Sequence, residues 1–147
     1  MKPFHFPLDG VFRWRETQSE REDEKLSRLL AELNRFEVQK AENEQARVTA
    51  SKSQLQSGDV SGSDFRAFGA YIAGLNMAAA LLQTEVVKCT HRVKQQQASC
   101  VAARRAVKLL DLLRAKKEKA WQHEAELELE TAAADSYLAR RARNVSS

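Results

Sequence analysis

The chain has few residues that reverse or break regular structure. It contains 5 Gly and 2 Pro in 147 residues, whereas average composition would supply about 10 Gly and about 7 Pro. With so few turn-forming residues, we expect long uninterrupted elements. Charged residues make up 30% and aromatic residues 7% of the chain. This composition, rich in Ala, Glu, Lys, Leu and Arg, is typical of long helices rather than of a compact core.

Cysteine and histidine are also scarce, which argues against a disulfide framework and a metal site. Cys89 and Cys100 are the two cysteines, and within one helix they would lie about 16 Å apart along the axis, too far for a disulfide. We expect both thiols to be reduced and buried. The three histidines share no metal-ligand spacing with the cysteines or with one another, so the sequence predicts no metal.

Motifs for catalysis are missing as well. The sequence has no Gly-rich phosphate loop, no nucleophile elbow and no HExxH motif, which are the common signatures of catalytic and nucleotide sites. Its many carboxylates are expected on solvated helix faces, where they favour solubility and ion pairing. The sequence therefore predicts no enzyme, no cofactor and no small-molecule ligand.

Neither a secretory signal nor a membrane span is predicted. The N-terminal segment MKPFHFPLDG has one Lys and lacks an apolar run of about 7 residues, so we expect a cytoplasmic protein. Residues 67–84 carry no charge over 18 residues, which is near the length of a membrane-spanning helix. Gly69, Gly74 and Asn76 interrupt this stretch, and a heptad pattern continues on both sides of it, so we interpret it as part of a coiled coil.

A single Gly- and Ser-rich segment divides the chain. Residues 57–63 contain two Gly and three Ser. We expect Gly58 to end the first helix in the left-handed conformation and Ser61 or Ser63 to cap the second, with Asp64 in its first turn. The sequence thus predicts helix 1 over about 9–56, a loop over about 57–62 and helix 2 over about 63–143. Together these elements would form one domain over residues 1–147.

Helix 2 carries the strongest pattern in the sequence, which consists of two apolar series with a step of seven residues. Thirteen of the fourteen positions are apolar, and the exception is Gln96. The two series are Phe65, Ile72, Ala79, Val86, Val93, Cys100 and Val107, and Phe68, Leu75, Leu82, Cys89, Gln96, Ala103 and Leu110. An a/d seam of this length predicts a left-handed coiled coil.

Helix 1 has a weaker seam. Its central members are Leu26, Leu29, Leu33 and Phe36. Over residues 37–56 the predicted seam thins to Ala41, Ala46, Val48 and Leu55. The seam is therefore expected to be well made only in the middle of the hairpin.

A short loop favours antiparallel helices, so residues equidistant from about position 60 are expected side by side. Residues 16–44 carry nine acids and five bases, whereas residues 88–119 carry ten bases and two acids. The hairpin would bring most of these stretches together. Because the net charge is only +4, we attribute the basic stretch to its acidic neighbour and predict no nucleic-acid partner.

The two predicted helices differ in length. At 1.5 Å per residue, helix 1 would measure about 70 Å and helix 2 about 120 Å. Pairing would then end near residue 112 and leave the last thirty or so residues unpaired. The predicted fold is all-α: a long antiparallel two-helix coiled-coil hairpin with an overhanging C-terminal helix.

The hairpin tip is the first candidate binding surface. Residues 65–87 are apolar nearly all round the helix, whereas residues 37–55, opposite them, are polar. The mismatch predicts exposed apolar area, which usually marks a docking site. The predicted partner-binding residues of the tip are Phe65, Phe68, Tyr71, Leu75 and Met77. Alternatively, self-association or helix curvature buries this area.

The open end of the hairpin is the second candidate surface. Residues 8–15 and 109–121 both combine large apolar side chains with bases. Trp and Arg, which dominate many protein interfaces, occur in both segments. The alternative interpretation is a solvated helix end without a partner.

At its two termini the sequence resembles the FliJ family, the small coiled-coil component of bacterial flagellar type III export. The N-terminal similarity, within FHFPLDGVFRWRE, is carried by Phe4, Phe6, Leu8, Val11, Phe12, Arg15 and Glu16. The C-terminal similarity is carried by Leu113, Arg114, Lys116, Lys117, Trp121, Glu124 and Asp135. Length and hairpin layout agree with the family over nearly the whole chain.

The resemblance implies a protein like the central stalk of rotary ATPases, with its open end inserted in a hexameric export ATPase. It also implies contact with the export gate membrane protein, escort of substrate chaperones, and a peripheral position at the cytoplasmic face of the inner membrane. By this resemblance the residues that face the ATPase are Leu8, Val11, Arg15, Leu113, Arg114, Lys117 and Trp121. That the tip binds the gate or the chaperones is a hypothesis based on its apolar excess.

Two other functions fit the same pattern. One is a generic cytosolic scaffold that forms parallel coiled-coil dimers, which the mass in solution would separate from a monomeric stalk. The other is the equivalent stalk of a virulence type III secretion system, which the neighbouring genes would distinguish from a flagellar protein.

Overall fold

The computed structural model of the chain describes residues 2–58 and 61–146. These residues form two helices and no strand: α1 spans Asp9–Gln56 (48 residues) and α2 spans Gly62–Val145 (84 residues). The two helices pack against each other, which confirms the predicted all-α hairpin. Contacts divide the described residues into two compact units, Glu20–Val101 and a unit of residues 2–19 with 102–146. One domain over residues 1–147 remains a prediction.

Local hydrogen bonds fix the start of α1. The backbone amide of Asp9 donates to the carbonyl of Phe6 (3.1 Å), and Pro7, between them, has no amide hydrogen to donate. The Asp9 carboxylate stabilises the positive N-terminal end of the helix dipole and pairs with Arg13 (3.1 Å). The chain therefore enters α1 through a hydrogen-bonded turn over residues 6–9.

The loop confirms one predicted cap and corrects another. The Ser61 hydroxyl accepts a hydrogen bond from the backbone amide of Asp64 (3.2 Å), so Ser61 caps α2. The expected left-handed glycine at the end of α1 is wrong, because no described glycine, Gly58 included, has a positive φ. Instead, the Ser57 hydroxyl donates to the carbonyl of Gln54 (3.1 Å). The predicted loop positions 59 and 60 lie outside the described residues.

The unit Glu20–Val101 contains the predicted seam of α2. Cys89, Val93 and Cys100 are buried, with exposed fractions of 0%, 6% and 2%. Of the seam positions in this unit, only Phe65 is exposed, at 65%. Neither cysteine forms a disulfide. The predicted seam and the buried thiols are confirmed.

Two polar contacts fix the register of this unit. The Cys89 thiol donates to the backbone carbonyl of Leu29 (3.6 Å), and the Gln96 side-chain amide donates to the carbonyl of Glu22 (3.0 Å). The residue numbers of each pair are centred on 59, which agrees with the antiparallel register predicted about position 60.

The predicted α1 seam over residues 37–56 is half wrong. Ala46 and Val48 are half-buried as expected, but Ala41 is exposed and Leu55 is 86% exposed. Positions that are instead half-buried in this segment include Asn43, Ala50, Ser51 and Gln54. Small and polar side chains therefore take part of the inner face of α1, which leaves Leu55 in solvent.

In the other unit, the residues before α1 cover part of α2. We call residues 2–7 the N-terminal strap. Its Phe6 is 4% exposed, and the carbonyl of Lys2 accepts a hydrogen bond from the Trp121 indole (3.1 Å). Non-helical chain can rise up to about 3.3 Å per residue, compared with about 1.5 Å in a helix, so the strap can reach farther along α2 than the same number of helical residues.

The strap extends the covered part of α2 beyond residue 112, where pairing of the two helices is predicted to end. The last half-buried residue of α2 is Ala125 rather than a residue near 112. Beyond Ala125, every described residue of α2 is exposed, including Leu129 at 72% and Tyr137 at 64%. The overhang exists, but it is shorter than predicted.

Among the described residues, one helix, α2, contains an 18-residue stretch that is long and apolar enough to cross a membrane by length and composition. The mean hydropathy of this stretch is 1.3, and none of it is buried. In residues 67–84, however, Phe68, Ile72 and Leu75 are half-buried. This pattern fits the coiled-coil interpretation, in which one side of the stretch faces α1.

Candidate partner-binding surfaces

The open end exposes apolar and basic side chains near the start of α1. Leu8 and Val11 are 37% and 45% exposed, and Arg15 is exposed as well. The Arg15 guanidinium lies 5.0 Å from the ring centre of Trp14, which is itself 53% exposed. The attraction between a cation and an aromatic ring restricts the side-chain conformations of both residues. Arg15 and Trp14 are therefore partly ordered and accessible to a partner.

The predicted residues of α2 at this end differ in accessibility. Arg114 and Lys117 are exposed, whereas Leu113 is half-buried. The Arg114 guanidinium lies 6.0 Å from the ring centre of Phe12 on α1. Arg114 therefore belongs to the same surface as the first turns of α1, and a charge change there would also alter this contact.

Trp121 has intramolecular partners. Its ring lies 6.0 Å from the Phe4 ring in a tilted arrangement (54°), its indole N–H is bonded to the Lys2 carbonyl, and it is half-buried. A shallow groove of about 580 Å³ adjoins it. The groove is lined by Lys2, Pro3, Phe4, His5, Pro7, Lys117, Ala120, Trp121, Glu124 and Glu128. Both signs of charge line this groove.

The strap is the part of the open end that our interpretation of the sequence missed. The family resemblance alone pointed to Phe4 and Phe6, and the sequence predicted no contact for Lys2. The available signal was the pair of aromatic residues between Pro3 and Pro7, because prolines exclude a helix there and an extended segment can bury alternate side chains.

The hairpin tip exposes the apolar area that its composition predicts. Phe65, Tyr71 and Met77 are 65%, 51% and 72% exposed. Phe68 and Leu75 are half-buried in the seam. They therefore pack beneath the exposed side chains of the tip more than they contribute to its accessible surface. Three further exposed apolar residues that were not among the predicted tip contacts are Leu55 at 86%, Leu81 at 68% and Val87 at 58%.

Gln96, at a seam position of α2, forms a polar cluster with Glu22 of α1. The Gln96 side-chain amide donates a hydrogen bond to the Glu22 carboxylate (2.5 Å). The Lys25 ammonium also lies near this carboxylate, at 3.4 Å. The hydrogen bond from Gln96 is the main reason that the pKa of Glu22 is lowered. Burial, followed by the nearby charge of Glu32, raises the pKa of the Cys89 thiol, so this thiol stays protonated and is a poor nucleophile.

Among residues 2–58 and 61–146, no group of three His, Cys, Asp or Glu side chains is placed to hold a metal ion. The two surfaces described above consist of exposed apolar and basic side chains on helices. The fold is that of an all-α coiled-coil hairpin, and exposed side chains of these kinds are common in protein interfaces. The surfaces themselves remain predicted binding sites.

The comparison with protein families identifies the class further. The family model described as "Flagellar FliJ protein" matches residues 4–147, so the chain belongs to the FliJ family. The chain is therefore a component of the flagellar export apparatus. No curated protein and no solved structure gave a match.

Proposed function

We propose that the chain is a non-enzymatic, stalk-like coiled coil that bridges the hexameric export ATPase, the export gate membrane protein and the substrate chaperones. In this proposal it is cytoplasmic and peripheral at the inner membrane. Family membership supports the export apparatus as its place of action. The bridging role depends on two separate surfaces, the open end and the tip.

The exposed basic and apolar open end is the observation that carries the ATPase assignment. Leu8, Val11 and Arg15 are exposed on α1, and Arg114 and Lys117 are exposed on α2. Burial of the two apolar side chains against a partner would stabilise a complex, and the three cations would select an acidic surface. Leu113 and Trp121 are half-buried, so they would pack beneath the exposed side chains of this surface and help to hold them in place.

Charge reversal tests this assignment. The double change Arg114→Glu and Lys117→Glu is expected to weaken ATPase binding at least roughly tenfold, because it replaces attraction to an acidic surface with repulsion. The measurement is a binding titration of purified chain and ATPase, accompanied by a motility assay in cells.

Lys116 and Lys119 provide the matched control, since both are exposed on the same stretch of α2. Their double change to Glu alters the net charge equally but leaves Arg114 and Lys117 in place. Unchanged ATPase binding in the Arg114 and Lys117 variant, or an equal loss in the control, would refute the assignment.

We assign the tip to the export gate or the substrate chaperones. The support is its exposed apolar area, since Phe65, Tyr71 and Met77 all lie at least half in solvent. Exposed apolar area on this scale favours a docking surface. Phe68 and Leu75 would hold these side chains in place from the seam.

A double change of Tyr71 and Met77 to Ala tests the tip. Both side chains are exposed, so the fold is expected to persist while export of filament proteins falls roughly tenfold, as for the loss of interface anchors. The control is Val101→Ala, an exposed apolar residue away from the tip. Normal export in the double variant, measured on culture supernatants, would exclude the tip from export.

A further inference from the structure

A groove runs between the two helices near the hairpin tip. It has a volume of about 410 Å³. Its lining residues are Arg47, Val48, Ser51, Lys52, Leu55, Phe68 and Ile72. The apolar lining comes from both helices, and it stays accessible because α1 offers small and polar side chains here. The groove is thus lined by apolar side chains from both helices and has two basic residues on its α1 side.

A second groove, of about 560 Å³, lies farther from the tip in the same unit. Its lining residues are Glu37, Lys40, Ala41, Asn43, Glu44, Ala79 and Val86. Several of the lining residues of the two grooves on α1 are spaced by three, four or seven residues, at positions 37, 41, 44, 48 and 55. On α2, residues 72, 79 and 86 follow steps of seven. Such steps keep residues on one face of a helix, so the grooves are aligned along one face of the hairpin.

The balance of charge differs between the two grooves. The groove at the tip is bordered by two bases, Arg47 and Lys52, and by no acid, whereas Glu37 and Glu44 border the second groove together with Lys40. Arg47 also pairs with Glu44 (2.8 Å), at the boundary between the grooves. Among the residues that the structure describes, Lys52 forms no ion pair. A partner is therefore expected to present acids near Lys52.

We propose that this face binds a single amphipathic helix of a protein partner, with an apolar stripe in the two grooves and acidic residues beside Lys52. The inference rests on the proposed function of the tip and specifies the chemistry of its partner. Residues 37–55 would cover about 28 Å of helix, or about five turns. Helices bind such grooves through apolar residues at steps of three and four.

Two other occupants fit less well. A lipid surface would have to accept Glu37, Glu44 and Arg47 on the same face, and charges are expensive in an apolar medium. A second copy of the chain that met this face with its own grooves would leave space between the two copies. A single helix fills the groove, and close packing favours it.

Two synthetic peptides test the proposal on the full chain. Both have the same three-heptad stripe of Leu and Ala, but at the end placed against Lys52 one carries Glu and the other Lys beside the stripe. We expect the Glu peptide to bind at least roughly tenfold tighter, as measured by fluorescence anisotropy. Lys52→Glu is expected to abolish or invert this preference, whereas Lys119→Glu, an exposed change outside the grooves, is expected to preserve it.

Several outcomes would overturn the proposal. They are equal affinity for the two peptides, no saturable binding, and an equal effect of the Lys119→Glu control. Sedimentation of dimers that Lys52→Glu abolishes would instead assign the face to a second copy. Binding to phosphatidylglycerol vesicles that the Tyr71 and Met77 variant loses would assign the tip to lipid.

The two proposals can fail separately. If neither peptide binds while the Tyr71 and Met77 variant loses export, the tip is a docking surface and only the helix chemistry is refuted. If the Glu peptide binds selectively while that variant exports normally, the groove binds helices but the tip assignment in export is refuted.

Discussion

Phe6→Ala is expected to detach the N-terminal strap from α2. Phe6 is 4% exposed, and truncation of a buried Phe to Ala typically costs about 3 to 5 kcal/mol. The strap has six residues and no regular secondary structure of its own to retain it. Trp121 is then expected to lose the contact with Phe4 and the hydrogen bond to Lys2. Its fluorescence emission is expected to shift to longer wavelength as water reaches the indole.

The measurement needs a background with one tryptophan, which Trp14→Phe provides because Trp14 is exposed. Hydrogen exchange is expected to report faster opening of α2 beyond Trp121, because a charged helix without packing is marginally stable. His5→Ala, at the exposed neighbouring position, is the control and should leave emission and exchange unchanged. An unchanged Trp121 spectrum in Phe6→Ala would show that Phe6 does not anchor the strap.

The strap also affects the proposed ATPase surface. Trp121 is held from inside the molecule by Phe4 and Lys2, whereas Arg114 and Lys117 are exposed. Loss of the strap would therefore change the support of that surface without removing its charges. Weakened ATPase binding in Phe6→Ala, with Arg114 and Lys117 intact, would be an indirect effect.

The fold was predictable from the sequence because heptads and turn residues are local signals. Thirteen apolar positions among fourteen set the seam of α2, and a single Ser- and Gly-rich loop set the antiparallel order. The structure then buries Cys89 and Cys100 where the two series place them. The covered length of α2 was not predictable in the same way, since a helix-length estimate leaves out the strap, which packs on α2 before α1 begins.

The candidate surfaces were only partly predictable. Exposed apolar side chains at the tip follow from composition, but Leu55 was predicted in the seam and is 86% exposed. Its burial depends on which face of α1 turns inward, and the thin pattern over residues 37–56 does not determine that rotation. The grooves at the tip likewise depend on the relative rotation of two helices, which a one-dimensional pattern leaves open.

Gln96 is the one polar residue in the predicted seam, and the structure gives it a defined role. Its amide donates to both the backbone carbonyl and the carboxylate of Glu22. A polar residue at a seam position selects one register, because any slip leaves it without a partner. The pKa of Glu22 is lowered in the folded chain, mainly by the hydrogen bond from Gln96. The ionised carboxylate of Glu22 therefore stabilises the fold at pH values above the ordinary pKa of a glutamate. This stabilisation is lost as the pH falls through the lowered value.

Gln96→Glu is expected to reverse this dependence on pH. Near neutral pH the change places two carboxylates together and removes the donor to Glu22, so the melting temperature is expected to fall by about 5 °C or more. The two like charges raise each other's pKa, so acidification towards about pH 5 protonates one of them and restores stability. Circular dichroism melts at several pH values measure this, with Gln95→Glu as an exposed control. Parallel pH profiles for Gln96→Glu and the unaltered chain would contradict a direct pairing between positions 96 and 22.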